Sequence, residues 1–359
     1  MKKIISLAMS AVLTFSLCAG LTGCGGSTST GDNSNSASGS GDADKVYEFT
    51  LSMHDAVTTP NAVFMQSWAD KVYEATEGHV KITIFGSGTL SAATDIGDNV
   101  KAGAVDIGWL YTSYYSGQFP LSDVINIPMQ GFGDPIVSTK VLWDLYDEYP
   151  EVENEWDDYK LLMLYGNPGM IFASADTPIT SVADLKGRSV RCPSGAITDV
   201  MTSWGASPIT MAPPDIYEAI EKNNISAYIF EPSGITNFSL EEVTKYYTDL
   251  QMYDGPFALI MNWDKWNSLP EEYKTIIEGL AGETASLDAA QAFADAVAVA
   301  RDEIVAAGGE FVTVSDEDQA GFAVAADEYA AKWAEQMSND GFDGAAYLQA
   351  AKGYAAQEQ

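Results

Sequence analysis

Positive charge is scarce in this sequence of 359 residues. Its 18 lysines and arginines stand against 51 acidic residues, which gives a formal net charge of −33. Such an acidic surface repels nucleic acid and anionic lipid headgroups, so neither is expected as a partner. Arginine is rarer still and occurs only as Arg188, Arg191 and Arg301. Two of the three therefore lie in one short stretch, LKGRSVRCPSG, which requires an explanation.

The residues that usually carry catalysis or bind metals are also few. The two histidines, His54 and His79, are not spaced as metal-ligand pairs, and GxSxG, Walker A and GxGxxG motifs are absent from the sequence. The acidic run EVENEWDDY lacks the spacing of a calcium-binding loop, so a solvated acidic surface is the simpler interpretation. The sequence therefore predicts no enzyme, no cofactor and no metal site.

The N-terminus has the pattern of an export signal. A basic MKK precedes the apolar run IISLAMSAVLTFSLCAG, and LTGC follows at residues 21–24. The LTGC stretch resembles a lipobox, which implies a signal peptide at residues 1–23 and a lipidated Cys24; the alternative is an ordinary signal peptide with an incidental cysteine. Cys18 would leave with the signal, so only Cys192 remains, and we expect it to be a small buried residue without a disulfide partner.

The next segment contains few residues that could form a core. Residues 25–42, GGSTSTGDNSNSASGSGD, contain no large apolar side chain and cannot bury enough surface to become ordered. We therefore predict a lipidated cysteine and flexible linker at 24–44, where eighteen such residues span roughly 20–25 Å. Such a linker would hold a folded body close to a membrane.

The folded body begins with alternating strands and helices. VYEFTLSMH predicts a strand, and Thr59, Pro60 and the spacing of Phe64, Trp68 and Val72 predict a helix that Gly78 ends. HVKITIFGSG predicts a second strand, and residues 105–110 a third. This order favours a parallel sheet with covered faces.

A similar alternation starts again after residue 158, and a long helical pattern follows residue 270. The sequence therefore predicts two α/β lobes and a C-terminal helical section. The expected boundaries are 45–166 with 256–300 for lobe I, 167–255 for lobe II and 301–359 for the helical section.

Candidate binding residues follow from the rule that open α/β sheets bind ligands at the carboxyl ends of their strands. His54 follows the first predicted strand, Ser87 the second, and Trp109 and Tyr111 end the third. Trp109 and Tyr111 would form an aromatic wall. Core packing remains open as an alternative for both aromatic residues, and a structural hydrogen-bonding role for His54.

An exported two-lobed protein without catalytic motifs suggests a solute receptor that closes on its ligand. Five stretches, in the family's order, resemble the DctP-type solute receptors of TRAP transporters: FGSGTLSAATDIGDNVKAGAVDIGW, YYSGQFPLSDVINIPMQGF, SVADLKGRSVRCPSG, GASPITMAPPDIYEAIEKN and MNWDKWNSLPEEYKTIIEG. The resemblance implies a two-lobed, type II periplasmic-binding-protein-like α/β fold with central mixed sheets and C-terminal helices.

The resemblance also implies a role for Arg191. In the family an arginine after the DLKG turn binds the ligand carboxylate, and DLKGRSVR places it at Arg191. A guanidinium matches a carboxylate with two parallel hydrogen bonds, as lysine cannot. Arg188 should point the other way because strand side chains alternate. A structural salt bridge between the lobes is the alternative for Arg191.

The sequence departs from the family pattern at two places. Where many members carry a second ligand-facing arginine, YGNPGMIFAS places Met170, Ile171 and Phe172. The asparagine that some members place before a proline falls at Phe230 or Glu231, and Glu231 could accept a hydrogen bond from a ligand or face solvent. We therefore expect Met170, Phe172 and Glu231 at the site. One arginine beside apolar residues favours a monocarboxylate, with aromatic and hydroxy acids as candidates.

The resulting hypothesis is a lipid-anchored, extracytoplasmic receptor at the bacterial cell membrane that delivers a small organic acid to TRAP membrane subunits. An ABC-type binding lipoprotein and a ligand-sensing subunit of a signalling system remain alternatives. Neighbouring genes would separate them, since two integral membrane subunits without an ATPase indicate a TRAP system.

Overall fold

The computed structural model of the chain describes residues 45–115, 117–250 and 252–358. The predicted signal peptide at 1–23 and the whole of the predicted lipidated cysteine and linker at 24–44 lie outside this part of the chain. No helix within it is both long and apolar enough to cross a lipid bilayer. The same residues contain no group of three or more metal-ligating side chains that could hold an ion.

Strands and helices alternate along most of the described chain. The strands are β1 (Tyr47–Ser52), β2 (Val80–Phe85), β3 (Ile107–Tyr111), β4 (Lys160–Gly166), β5 (Ile171–Ser174), β6 (Ser189–Cys192), β7 (Ser207–Thr210), β8 (Ala227–Phe230), β9 (Tyr246–Thr248), β10 (Pro256–Met261) and β11 (Glu310–Val312). The helices are α1 (Pro60–Ala75), α2 (Ile96–Lys101), α3 (Pro135–Glu148), α4 (Pro150–Asn154), α5 (Ala196–Ser203), α6 (Ile216–Glu221), α7 (Pro232–Asn237), α8 (Trp263–Asn267), α9 (Glu271–Gly279), α10 (Gly282–Ala306), α11 (Asp316–Asn339) and α12 (Gly344–Gln357).

Helix α1 shows how local sequence fixes these elements. The Thr59 hydroxyl accepts a hydrogen bond from the Ala62 amide at 3.4 Å, and Pro60 occupies the first turn, where its missing N–H costs nothing. Gly78 then adopts a φ of +86°, which lets the chain turn into β2. The buried face of α1 includes Trp68 and Val72, as their spacing predicted.

The first sheet has the strand order β2-β1-β3-β10-β4. β1 pairs in parallel with β2 and β3, whereas β10 runs antiparallel to both β3 and β4. The antiparallel register sets Phe257 opposite Tyr111. This sheet therefore combines an N-terminal parallel part with one strand that returns from much later in the chain.

The second sheet has the order β11-β9-β5-β8-β6-β7. β6 runs parallel to β7 and β8, and β5 runs antiparallel to β8 and β9. The short strand β11 adds to the outer edge of β9 in parallel. The mixed sheets and the C-terminal helices confirm the predicted two-lobed α/β fold.

The chain passes between the two sheets along two adjacent segments. The Asn167 amide donates to the Gly255 carbonyl at 3.0 Å, and the Met170 amide donates to the Tyr253 carbonyl at 3.0 Å. The C-terminal helices also link the sheets, because α11 packs on α5 while α12 packs on α3. From this membership we propose lobe I as 45–166 with 256–300 and lobe II as 167–255. The section 301–359 contributes β11 to the second sheet besides its helices.

Gly108 allows helix α2 to pack closely on β3. A Cβ atom at this position would lie 2.5 Å from Ile96 Cγ2 and 2.8 Å from Val100 Cγ2. We expect Gly108→Ala to lower the free energy of unfolding by about 1–3 kcal/mol, because the buried neighbours must move. Urea unfolding measures this effect. Gly353→Ala is the control, since nothing lies within 4 Å of its added Cβ; equal destabilisation by both changes would contradict the packing argument.

Candidate functional site

The strongest candidate site is a cleft of about 510 Å³ lined by residues of both sheets and the loops that follow their strands. That figure includes open solvent at the mouth of the cleft, and the enclosed space available to the centre of a water-sized sphere is about 40 Å³. Aromatic side chains form the largest group of lining residues, and charged and amide side chains the next: His54, Asp55, Asn61, Trp109, Tyr111, Tyr114, Asn167, Met170, Arg191, Pro193, Pro213, Phe230, Glu231, Gly234, Asn237, Phe238, Phe257 and Phe293.

Arg191 lies on β6 and is only 2% exposed. Its Nε donates to the Met211 carbonyl at 3.1 Å and its Nη1 to the Ile229 carbonyl at 3.0 Å. The guanidinium carbon lies 5.3 Å from the centre of the Phe230 ring. Two carbonyls and an aromatic ring thus fix the plane of the guanidinium before any ligand binds.

The positive charge of Arg191 has no acidic partner within 4.0 Å in the described part of the chain. Its Nη2 makes no hydrogen bond to a described residue. A buried cation without a counter-ion is costly, and an anionic ligand in the cleft would offset that cost. These contacts give no support to the alternative of a structural salt bridge for Arg191.

Arg188 is placed differently from Arg191, as strand alternation predicted. It lies just before β6, and its guanidinium donates to the Thr177 carbonyl at 3.2 Å and 3.3 Å and to the Thr177 hydroxyl. It is not among the residues that line the cleft. Arg188 therefore provides a matched control for Arg191 in the same stretch of chain.

A stack of aromatic rings covers the side of the cleft that belongs to the first sheet. We call His54, Trp109, Phe257, Tyr111 and Tyr114 the aromatic wall. Ring centres lie 4.7 Å apart for His54 and Trp109, 4.5 Å for Trp109 and Phe257, and 4.7 Å for Phe257 and Tyr111. Tyr114 meets Tyr111 edge to face at 5.3 Å. The wall offers flat apolar surface to a ligand body.

Trp109 both packs in the core and lines the cleft. Its side chain is 1% exposed, and its indole N–H donates to the Tyr165 hydroxyl at 2.6 Å. The sequence left core packing and ligand contact as alternatives, and the structure places Trp109 both in the core and on the lining of the cleft. The hydrogen bond holds the indole plane in the stack.

Two buried polar atoms of the wall have no partner in the described residues. These are Nδ1 of His54 and the hydroxyl oxygen of Tyr111. Burial lowers the pKa of His54, against a smaller opposing effect of Asp55, so the neutral imidazole is favoured. Buried polar atoms are seldom left unpaired, so a bound ligand or water is expected to meet them.

Glu231 follows β8 at the start of α7 and is 5% exposed. Burial above all, with a contribution from Asp55, raises the pKa of this carboxyl to about 8, although Arg191 acts in the opposite direction. Glu231 therefore keeps its proton near neutral pH. Gly234 makes room for it, because a Cβ there would lie 2.5 Å from Glu231 Oε1.

Six of the eight ligand-binding residues expected from the sequence line the cleft together: His54, Trp109, Tyr111, Met170, Arg191 and Glu231. Ser87 does not. It is exposed in the turn after β2, with a φ of +55°. The rule that strand ends form the site misplaces Ser87 because β2 is the edge strand of its sheet, and the end of an edge strand lies away from the cleft.

Phe172 also lies elsewhere. It is fully buried, with its ring centre 6.1 Å from that of Trp204 and 6.0 Å from that of Phe322. Met170 reaches the cleft because it belongs to the segment that crosses between the sheets, whereas Phe172 belongs to β5 and packs under helices α5 and α11. Proximity in sequence to Met170 was therefore a poor guide to the position of Phe172.

Several lining residues were not expected from the sequence. Asp55 is adjacent to His54, and Phe257 was expected only as part of the segment 256–300 of lobe I. Phe257 joins the wall through the antiparallel pairing of β10 with β3, which no local pattern indicates. The acidic neighbour of His54 could have been found from its position at the end of β1.

Cys192 lies next to Arg191 but is fully buried. Burial raises the pKa of its thiol, with Thr198 and Arg191 acting in the opposite direction. A protonated buried thiol is a poor nucleophile. This placement agrees with a packing role.

Stability should depend on pH through Glu231 and two further buried carboxyls. Burial raises the pKa to about 8 for Glu231 and Glu155 and to about 6 for Asp123. Such groups bind a proton in the folded state that the unfolded chain releases above its ordinary pKa. Their contribution to the free energy of unfolding is therefore complete below about pH 4.5 and is lost as the pH rises through 6 to 8. For each carboxyl it is about 1.4 kcal/mol for every pH unit by which the pKa in the folded protein exceeds that in the unfolded chain.

We therefore expect the urea midpoint of the ligand-free protein to fall between pH 5 and pH 8.5. Glu231→Gln should reduce that fall, because an amide has no proton to lose. Asp176→Asn, a change at an exposed acid outside the cleft, should leave the pH profile unchanged. If the urea midpoint of Glu231→Gln depends on pH in the same way as that of Asp176→Asn, Glu231 is ionised in the folded protein.

A cleft between two α/β sheets, with an anchored guanidinium on one side and an aromatic wall on the other, defines a solute-binding protein of the two-lobed class. The sequence model of the bacterial extracellular solute-binding proteins, family 7 (DctP), matches residues 51–336, and the chain belongs to this family. The predicted resemblance is confirmed. The family and the fold are those of extracytoplasmic receptors, so the chain is not an enzyme.

Curated relatives are distant but extensive. The chain is 25% identical over 282 residues to the outer membrane transporter protein TsaT of Comamonas testosteroni, which covers 76% of this chain and 82% of the relative. It is 22% identical over 227 residues to the 2,3-diketo-L-gulonate-binding periplasmic protein of Escherichia coli, which covers 63% of this chain and 69% of the relative.

Solved structures share the fold over nearly their full length. A TRAP solute binding protein from a marine metagenome, described as specific for aromatic acid ligands and solved with 3-hydroxybenzoate, is 25% identical with a TM-score of 0.83 and covers 88% of this chain and 99% of its own. A TRAP solute binding protein from Rhodoferax ferrireducens with benzoate is 23% identical with a TM-score of 0.82, covers 86% of this chain and 98% of its own, and supports the fold.

Proposed function

We propose that this protein captures a small organic monocarboxylate in the cleft and delivers it to the membrane subunits of a TRAP transporter. The observation that carries this proposal is the environment of Arg191. Its guanidinium is buried and fixed by the Met211 and Ile229 carbonyls, yet it has no acidic partner among the described residues. A ligand carboxylate is the group that best matches it.

The lack of a second arginine or lysine in the described lining favours a single carboxylate, and the aromatic wall favours a flat body. Met170 stands near the position where many family members carry a second arginine, and it lines the cleft here. A second ligand carboxylate would lack a cationic partner in the described lining, apart from Arg191 itself. The aromatic wall would pack against the ligand body.

The other lining residues have proposed roles consistent with their placement. Trp109 and Tyr111 would contact the face of the ligand, and Met170 would fill an irregular apolar gap. His54 and Glu231 would meet polar groups of the ligand. The ligand named for the marine relative, 3-hydroxybenzoate, combines a carboxylate, a ring and a hydroxyl, which are the groups that such a lining would accommodate.

We also propose that Cys24 carries a lipid and that residues 24–44 tether the receptor to the outer face of the cell membrane. The lipobox-like LTGC and the polar tract after it support this proposal. Metabolic labelling with an alkyne analogue of palmitate tests it. The wild-type chain should be labelled and the Cys24→Ser variant should not; labelling of both would contradict lipidation at this residue.

Thermal unfolding in the presence of candidate ligands tests the main proposal. The mature body without signal and tether should be stabilised by one or more aromatic or apolar monocarboxylates, because a ligand that binds only the folded state raises the unfolding temperature. Neutral sugars of similar size are the matched negative set. Native mass spectrometry of co-purified ligand identifies the natural compound. Stabilisation only by neutral sugars would contradict the carboxylate assignment.

A further inference from the structure

The cleft contains two carboxyl groups in addition to the Arg191 guanidinium. Asp55 follows β1 on the side of the aromatic wall, and Glu231 follows β8 on the side of Arg191. Both line the same cavity. Neither forms a salt bridge with a lysine or an arginine in the described part of the chain.

Asp55 is held in place by neutral or weakly basic neighbours. Its Oδ2 accepts a hydrogen bond from the Asn61 amide nitrogen at 3.3 Å, and its Oδ1 lies 3.7 Å from Nε2 of His54. The Asp55 side chain is 12% exposed. Since burial favours the neutral form of His54, this contact gives Asp55 little compensating positive charge.

A ligand with only a carboxylate would fit these charges poorly. It would satisfy Arg191, but because Glu231 is protonated near neutral pH it would leave Asp55 as a carboxylate without a lysine or arginine partner. Buried charges require partners, and each uncompensated one is costly. A ligand that also carries a positive group would compensate Asp55 with that group and Arg191 with its carboxylate.

We propose that the ligand is a zwitterion, an amino-acid-like compound whose carboxylate binds Arg191 and whose ammonium group lies between Asp55 and Glu231. This inference rests on the proposed function, in which Arg191 binds a carboxylate. It makes Asp55 and Glu231 specificity-determining residues that select for a cationic nitrogen.

The protonation of Glu231 supports this position for the ammonium group. Burial and the charge of Asp55 raise the pKa of Glu231, so the empty cleft holds a proton at this carboxyl near neutral pH. Burial is the larger cause and opposes any lone charge here, whereas the negative charge of Asp55 is the contribution that would attract a cation. A ligand ammonium group would replace the proton and allow Glu231 to ionise.

The hydroxyl of Tyr111 gives a second indication. This side chain is 4% exposed and lines the cleft, and its oxygen makes no hydrogen bond of ordinary geometry to a described residue, although Ser113 lies close enough to lower its pKa. Burial chiefly raises its pKa, and Glu231 is among the charges that act on it in the same direction. An ammonium group has three N–H donors, and Asp55, Glu231 and the Tyr111 oxygen together offer acceptors for all three.

The test compares ligands that differ in one substituent. Phenylalanine, 3-phenyllactate and 3-phenylpropionate share one body and carry an ammonium, a hydroxyl or a hydrogen beside the carboxylate. Leucine, 2-hydroxyisocaproate and 4-methylpentanoate form the equivalent aliphatic series. Isothermal titration calorimetry at pH 7 should show that the amino member of the better series binds about tenfold tighter or more, as expected for hydrogen bonds between charged groups.

Charge variants connect the preference to the two acids. Asp55→Asn and Glu231→Gln should each weaken binding of the amino member by about tenfold, while binding of the corresponding deoxy acid stays equal or improves. Retained binding of the deoxy acid shows that the variant is folded and that Arg191 still functions. Asp176→Asn, at an exposed acid outside the cleft, is the matched control.

Proton release gives a second measurement. Titrations of the amino member at pH 7 in buffers of different ionisation enthalpy should show release of a proton from the wild-type protein and none from Glu231→Gln. The charged side chains that act on Glu231 are Asp55 and Arg191, and the hydroxyls of Tyr111 and Tyr114 lie nearby. The wild-type protein and Glu231→Gln should therefore be titrated alongside Asp55→Asn.

The outcomes separate this inference from the proposed function. Deoxy acids that bind as tightly as the amino acids would overturn the zwitterion and leave carboxylate capture intact. Binding of phenethylamine, which has the ammonium but no carboxylate, in place of every acid would overturn both. Failure of all amino members together with binding of other carboxylates also overturns the zwitterion alone.

Discussion

Arg191→Lys should weaken ligand binding by about 100-fold, equivalent to about 2.7 kcal/mol. Lysine retains the charge but offers a single nitrogen, so it cannot hold the Met211 and Ile229 carbonyls and a carboxylate at the same time. The measurement is calorimetric titration with an acid that stabilises the wild-type protein. A change within twofold would place the carboxylate site elsewhere.

Arg188→Lys is the control for this experiment. Arg188 lies three residues earlier and contacts Thr177 outside the cleft. It undergoes the same chemical change without touching the proposed ligand position, so affinity should stay near the wild-type value. Equal losses in the two variants would indicate a general effect on the second sheet.

Trp109→Ala should lower the free energy of unfolding by about 3–5 kcal/mol, the range for removal of a large buried aromatic side chain. The change removes the stacking on His54 and Phe257 and leaves the buried Tyr165 hydroxyl without its donor. Ligand affinity should fall too, because the aromatic wall would lose its central ring. Guanidinium chloride unfolding and ligand titration of the same variant measure the two effects.

Trp263 provides the matched tryptophan. It is 38% exposed, and its indole N–H donates to the Asp157 carbonyl at 2.8 Å. Trp263→Ala should cost about 1 kcal/mol, the net value of one hydrogen bond, and should not change affinity. Equal destabilisation by Trp263→Ala and Trp109→Ala would contradict the argument that burial and ring stacking make Trp109 the more important of the two for stability.

The sequence predicted the elements well because their signals are local. Thr59, Pro60 and Gly78 fix helix α1 through a cap, a first-turn proline and a positive φ. The fold class followed from the order of such elements and from family resemblance. The expected boundaries already placed residues 256–300 in lobe I, but the antiparallel pairing of β10 with β3 was not predictable from local signals, since it joins residues that are far apart in sequence.

The same difference explains which site residues were found. Trp109 and Tyr111 stand at the end of a strand that reaches the cleft, so the topological rule predicted that they line it, whereas Arg191 was predicted from the family motif DLKGRSVR. Ser87 does not line the cleft because β2 is an edge strand. The position of β2 at the edge depends on the strand order of the whole sheet, which no local pattern shows. Phe172 does not line the cleft because it lies in β5, whereas Met170, two residues earlier, lies in the segment that crosses between the two sheets.

The interleaving of the two sheets constrains the order of folding. β10 lies between β3 and β4 in the first sheet, but it is synthesised after β5–β9 of the second. During synthesis from the N-terminus, the edges of β3 and β4 that pair with β10 therefore remain unpaired until residues 256–261 have been made. Contacts this distant in sequence slow folding, and open strand edges favour aggregation. A chain cut before Pro256 should accordingly be insoluble, and the first sheet cannot be obtained as one continuous fragment that lacks the second.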